Sequence, residues 1–274
     1  TEVNRPENGN LGPYQYDVVR DQVSVIILEF QDNETTRRIF NKVNRNAKPT
    51  GRADNILLSE DDGYAILARW LLDSNRNGPL AAITYDGKLQ ELVNWRSNTL
   101  TKRVKELTTI SAVYEIVKAV LKQKGYADLD EKSSPVRPSD EKLDEAYEVI
   151  SEWFETVCLK VDAFRNAIAD PGSISAIRFA DVAPYHHDTL LLRPVGQIAM
   201  VLGVLEAMKN SRGVLTLDEA ITRVNKIDWS ANPAGYWRDV IVRADGRMIA
   251  RTESYNLAAK LVAYLIADEY LVDI

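Results

Sequence analysis

From Val23 to Phe30 the chain reads VSVIILEF, a near-continuous apolar run rich in β-branched residues. A run of this length and composition predicts a strand buried on both faces. It is the only strong strand signal in the chain. Almost every later apolar pattern recurs at helical spacing. Ile39, Phe40 and Val43 mark a helix from Thr35 to about Asn46, with Asn33 as its N-cap and Pro49 as its stop. Ser59-Glu60-Asp61-Asp62 is a capping signal ahead of a helix that buries Tyr64, Ile66, Leu67, Trp70 and Leu71. Val113, Ile116, Val117, Val120 and Leu121 share one face of a helix over 110–124, closed by Gly125. Further helices are expected near 140–169, 194–210, 216–226 and 252–272. Asp86-Gly87 suits the tight turn of a small hairpin beginning at Ile83. The fold class is therefore α+β and predominantly α-helical.

The segment ADLDEKSSPVRPS, Ala127 to Ser139, combines prolines, serines and charge, and reads as an exposed linker. It divides the chain into a first part, 1–126, carrying the strand and the basic helix, and a helical domain over 140–274. Thr1 to Gln22 is an irregular lead-in rich in Asn, Pro and Gly. No run approaches the ~20 apolar residues that span a bilayer, so no membrane partner is expected and the cytoplasm is the default compartment.

Charge supplies the first functional signal. The chain carries a net charge of −6, yet between Glu34 and Arg52 stand six cations (Arg37, Arg38, Lys42, Arg45, Lys48 and Arg52) with Glu34 as the one acid. Residues three and four apart are neighbours on a helix, so Arg37, Arg38, Lys42 and Arg45 lie near one edge, which Lys48 and Arg52 extend. Such an edge can follow a phosphate backbone, with the asparagines at 41, 44 and 46 adding hydrogen bonds. The ordinary alternative is a solvated face whose charges pair with Glu60-Asp61-Asp62.

These residues also resemble a known family. The strand, then TRRIFNKVNRNAKPT and DNILLSEDDGYAILAR, supported by LLRPVGQ at 191–197 and WRDV at 237–240, is similar to the DGQHR-domain, DndB-like family. That family is associated with bacterial DNA phosphorothioate modification gene clusters. Its name-giving D-G-Q-H-R motif is absent from these 274 residues. The resemblance places that motif upstream of Val23, so the chain is expected to be the C-terminal portion of a longer protein. It implies that 1–126 is the remnant of a ParB/sulfiredoxin-like mixed domain, and that the protein binds double-stranded DNA as a regulator of a sulfur-modification or related phage-defence locus. Two other readings stand beside this one. One is a ParB-like nucleotide hydrolase or nuclease whose active motif lies in the missing part. The other is a helical adaptor for other DNA-modification proteins; self-association is compatible with each.

The remaining constellations are weaker. Tyr185-His186-His187-Asp188 holds both histidines, but adjacent ligands on one loop suit zinc poorly, so no metal is expected. Arg193-Pro194 opens a helix whose free N–H groups near Gly196 form a candidate anion site, though a plain helix start is the commoner outcome. Cys158, the sole cysteine, excludes an internal disulfide and reads as a buried packing thiol. Trp153, Trp229 and Trp237 could stack bases, but their apolar neighbours make them core residues. No phosphate-binding loop, dinucleotide fingerprint, nucleophile elbow or C-x-x-C is present, so no cofactor and no catalytic set is assigned.

Overall fold

The computed structural model describes residues 32–44, 51–101, 104–133, 136–179, 189–232 and 234–270. The expected strand Val23–Phe30, the cations Arg45 and Lys48, and both histidines lie outside them. The ParB/sulfiredoxin-like reading rests on that strand and shares its position. The chain falls into two compact units, Thr1–Thr36 and Arg37–Ile274. The second holds nearly all that follows.

Helices dominate the described residues, as the periodicity requires. Helix α1 spans Asn33–Asn44, α2 Arg52–Leu58, α3 Gly63–Trp70 and α4 Ile110–Gln123. Helix α5 runs Asp140–Lys160, α6 Asp162–Ala169 and α7 Ile174–Phe179. Helices α8, Pro194–Asn210, α9, Leu217–Val224, and α10, Thr252–Ala267, complete the set. Among the described residues strands are few and short. Ile83–Tyr85 (β1) pairs antiparallel with Lys88–Gln90 (β2), with Tyr85 opposite Lys88. Both turn residues, Asp86 at φ 50° and Gly87 at φ 69°, are left-handed, the geometry expected of the Asp-Gly turn. Val93–Asn94 (β3) pairs in parallel with Thr108–Thr109 (β4), an element too short to leave a pattern in the sequence.

Local chemistry sets the helix ends, with two differences from expectation. Asp32, rather than Asn33, caps α1: its carboxylate accepts from the Thr35 N–H at 2.7 Å. Asp62 caps α3, accepting from the N–H groups of Tyr64 (3.0 Å) and Ala65 (3.3 Å), while Ser59 accepts from the Asp62 N–H. The expected helix over 140–169 breaks at Val161, whose ψ of 112° is extended. The Asn225 amide repairs the break, donating to Lys160 O at 2.8 Å and accepting from Asp162 N at 3.1 Å. That partner lies more than sixty residues away, so periodicity could not reveal it.

The core is continuous across 127–139. Residues from Ala53 to Ala267 belong to one apolar cluster, in which α4 packs on α3, α5 and α8, and α8 on α10. Leu129 and Asp130, inside the expected linker, are buried, while Ala127, Asp128, Lys132, Ser133, Val136 and Ser139 are exposed. The α8–α10 seam is tight: a Cβ on Gly203 would sit 2.4 Å from the Val262 Cβ. Among the described residues no helix is long and apolar enough to cross a membrane.

Two buried polar side chains stitch distant segments together. Gln197 donates to Leu107 O and Leu191 O, both at 3.0 Å, and accepts from the Thr108 hydroxyl at 2.5 Å. Fully buried Arg178 donates to the carbonyls of Leu192 (2.7 Å), Val104 (3.0 Å) and Glu106. Burial pulls its pKa down to about 10, with Arg193 adding to the fall.

Candidate nucleic-acid interface

The cations of α1 stand over two carboxylates supplied by the loop before α3. Arg37 lies 3.6 Å from Glu60; Arg38 and Lys42 lie 3.1 and 3.3 Å from Asp61. Glu60 also receives Arg69 at 3.1 Å and Arg137 at 3.3 Å, which makes it a hub for three guanidinium groups. Arg69 in turn donates to Ile56 O and Ser59 O, fixing the α2–α3 connection. Burial lowers the Arg69 pKa and Glu60 acts to raise it again. Arg137 reaches on to Asp140 at 3.0 Å.

The arrangement is layered. The side chains of Glu60 and Asp61 are 5% and 14% exposed, whereas those of Arg37 and Lys42 are 49% and 59% exposed. Anions form the floor and cations the outer surface. Phe40 does not join a buried stripe as expected, being 54% exposed. This outer face of α1 is thus held by charge more than by apolar packing.

Arg52 opens α2 and pairs with Glu115 of α4. A cleft of about 520 Å³ lies beside that pair, lined by residues that include Asn41, Asn55, Asp62, Tyr114, Lys118 and Asp130. Several of its charges are paired with one another. Lys118 stands 3.1 Å from Asp130, which Lys122 also approaches at 3.3 Å. Asp62 accepts from the Tyr114 hydroxyl at 2.8 Å, and burial holds its carboxyl above the usual range against that bond and the two capping bonds. Burial acts to raise Asp130 too, but hydrogen bonds from the Lys132 N–H and from Lys118 and Lys122 outweigh it and lower its pKa.

Of the six cations picked out in the sequence, Arg37, Arg38 and Lys42 therefore share one network, Arg52 sits in a separate pair, and Arg45 and Lys48 lie outside the described residues. The acidic cluster was legible as their counterion; the hub role of Glu60 was not, because Arg69 and Arg137 come from elsewhere in the chain. Arg193 precedes α8, with Pro194 as its first residue. That helix start is packed by Leu190–Leu192: a Cβ on Gly196 would meet Leu190 O at 2.0 Å. Among the described residues no group of three or more His, Cys, Asp or Glu is placed to hold a metal ion.

Residues 11–267 match the model of the DndB family, described as DNA-sulfur modification-associated. No curated protein matches the chain, and no solved structure does.

Proposed function

We propose, on the premise that this chain belongs to the DndB family of DNA-sulfur modification-associated proteins, that it binds duplex DNA through the outer face of α1 and regulates the sulfur-modification locus. The observation that carries this reading is the layering of exposed cations over shielded carboxylates. Buried anions hold the guanidinium groups in place while their outward surface meets an approaching phosphate first. Exposed ion pairs contribute only about 0–1 kcal/mol each, so phosphates can compete for these cations at small cost. Contacts of this kind position the protein on the duplex and leave sequence choice to other groups.

The test is binding by fluorescence anisotropy across a salt series. Each phosphate contact contributes about −0.9 to the log–log salt slope, so Arg37, Arg38 and Lys42 together give about −2.7. Arg37→Gln with Lys42→Gln, shown folded by an unchanged melting temperature, is expected to flatten the slope by about 1.8 on every duplex sequence. The same variant is expected to relieve repression of a reporter driven by the promoter of the locus. A folded double variant with wild-type affinity, slope and repression would remove α1 from the function.

A further inference from the structure

Trp153, Trp229 and Trp237 are buried, as their apolar neighbours led us to expect. Trp95, on the loop between β3 and β4, is the exposed indole of the chain, at 36%. It is held firmly for an exposed group. Its N–H donates to Glu91 at 3.1 Å. The backbone on its C-terminal side is turned by Asn94, whose side chain accepts from Arg96 N (3.0 Å) and Ser97 N (2.8 Å). Asn94 is itself buried in the β3–β4 pair. The indole forms one wall of a cavity of about 200 Å³ whose other walls are Leu72, Leu80, Ala82, Glu91, Leu92 and Val93. That space admits one flat aromatic ring.

Charge around this ring differs from that on α1. The Arg96 guanidinium lies 4.5 Å from the indole centroid. Among the described residues Arg96 has no carboxylate partner, and neither do the exposed Lys88 and Lys105, on β2 and on the returning arm of the loop. A preset aromatic face, a slot lined by aliphatic side chains with the Glu91 carboxylate held on the indole N–H, and nearby cations without counterions suit a planar ring carried on a polyanion.

We infer that Trp95 and its slot take an unpaired base of DNA, with Arg96 set for the adjoining phosphate. The inference rests on the DNA-binding reading above and gives it a preferred substrate, duplex interrupted by unstacked bases. In an intact duplex the base faces are covered, so α1 can engage the backbone while the slot remains empty. Where a base is mismatched or strand-separated, the slot offers it a stacking partner.

The experiment is tryptophan fluorescence titrated with a short oligothymidylate, with an intact duplex, and with the same duplex carrying a central mismatched bubble. Oligothymidylate and bubble are expected to quench the solvent-exposed emission, and the intact duplex to bind without doing so. Trp95→Ala is expected to abolish the quenching and to weaken bubble binding about tenfold relative to intact duplex, with Trp95→Phe restoring most of it. Should Trp95→Ala melt early, Trp95→Phe and Arg96→Gln carry the comparison, the latter expected to lower bubble affinity without changing duplex affinity. Intact duplex binding with no preference for the bubble, or quenching that survives in Trp95→Ala, would overturn this inference and leave the proposed function standing. Absence of binding to any DNA would overturn both. Quenching by a partner protein but not by DNA would assign the slot to a side chain and likewise overturn it.

Discussion

Replacing Glu60 by Gln keeps the shape of the hub and removes its charge. Arg69, 3.1 Å away, and Arg137, 3.3 Å away, are largely shielded, while Arg37 is half exposed. Removing one partner of a buried pair costs about 3–5 kcal/mol where nothing else compensates. Here compensation is partial. Arg69 keeps the carbonyls of Ile56 and Ser59, and Arg137 keeps Asp140. The expected loss is then about 2–3 kcal/mol, below the usual range for a fully buried pair. At roughly 2–4 °C per kcal/mol for a domain of this size, calorimetry should show melting lowered by about 4–12 °C. Asp61→Asn is the internal control, because Arg38 and Lys42 are more exposed and their pairs fall in the range of about 0–1 kcal/mol. Glu60→Gln should also tighten duplex binding at low salt, since Arg37 loses its competing anion, and adding Arg37→Gln should cancel that gain. Equal melting temperatures for Glu60→Gln and wild type would refute the hub. Weaker DNA binding by a folded Glu60→Gln would refute the claim that carboxylate and phosphate compete.

Further outcomes are expected at three residues. Asp62→Ala should cost about 1–2 kcal/mol in denaturant unfolding, from the lost α3 cap and the unpaired Tyr114 hydroxyl, whereas Asp62→Asn retains a capping oxygen and should cost less. Because burial raises the folded pKa of Asp62 above 3.8, the proton binds the folded state more tightly; its stabilisation is complete below 3.8 and is lost as pH rises through the folded value, a loss Asp62→Asn should abolish. Gly203→Ala should lower stability by about 1–3 kcal/mol through overpacking against Val262, and an unchanged melting curve would show that the α8–α10 seam can open. Cys158, its thiol pushed up to about 12 by burial, should ignore a thiol-specific disulfide reagent at pH 8 until denaturant is added; rapid labelling of the folded protein would contradict its packed position.

Features written by near neighbours in the chain were legible from residues alone. The α4 face, the Asp86-Gly87 hairpin and the Pro194 start of α8 depend on contacts within a few residues, and each stands where its pattern placed it. Features that depend on partners far along the chain were not. The break at Val161 needs Asn225, and the Glu60 hub needs Arg137. Burial of Leu129 inside a Pro- and Ser-rich segment needs a core that arrives from both sides, and composition reports only that such a segment turns. The same limit applies to Trp95. The exposure of Trp95 depends on the β3–β4 pairing, which joins segments more than ten residues apart, whereas the burial of Trp153, Trp229 and Trp237 was legible from their apolar neighbours.

The clasps made by Gln197 and Arg178 bear on how the protein is made. The carbonyls of Val104, Glu106 and Leu107 leave the ribosome some seventy to ninety residues before the side chains that donate to them. Helix α4 likewise waits for α8, and α8 for α10, to cover its apolar face. The first half of the chain is therefore synthesised with its core unfinished, and is expected to need shelter until α10 emerges. Nascent chains halted before Pro194 should remain protease-sensitive and bound by holdase chaperones, and release should come only once Ala267 has cleared the exit tunnel.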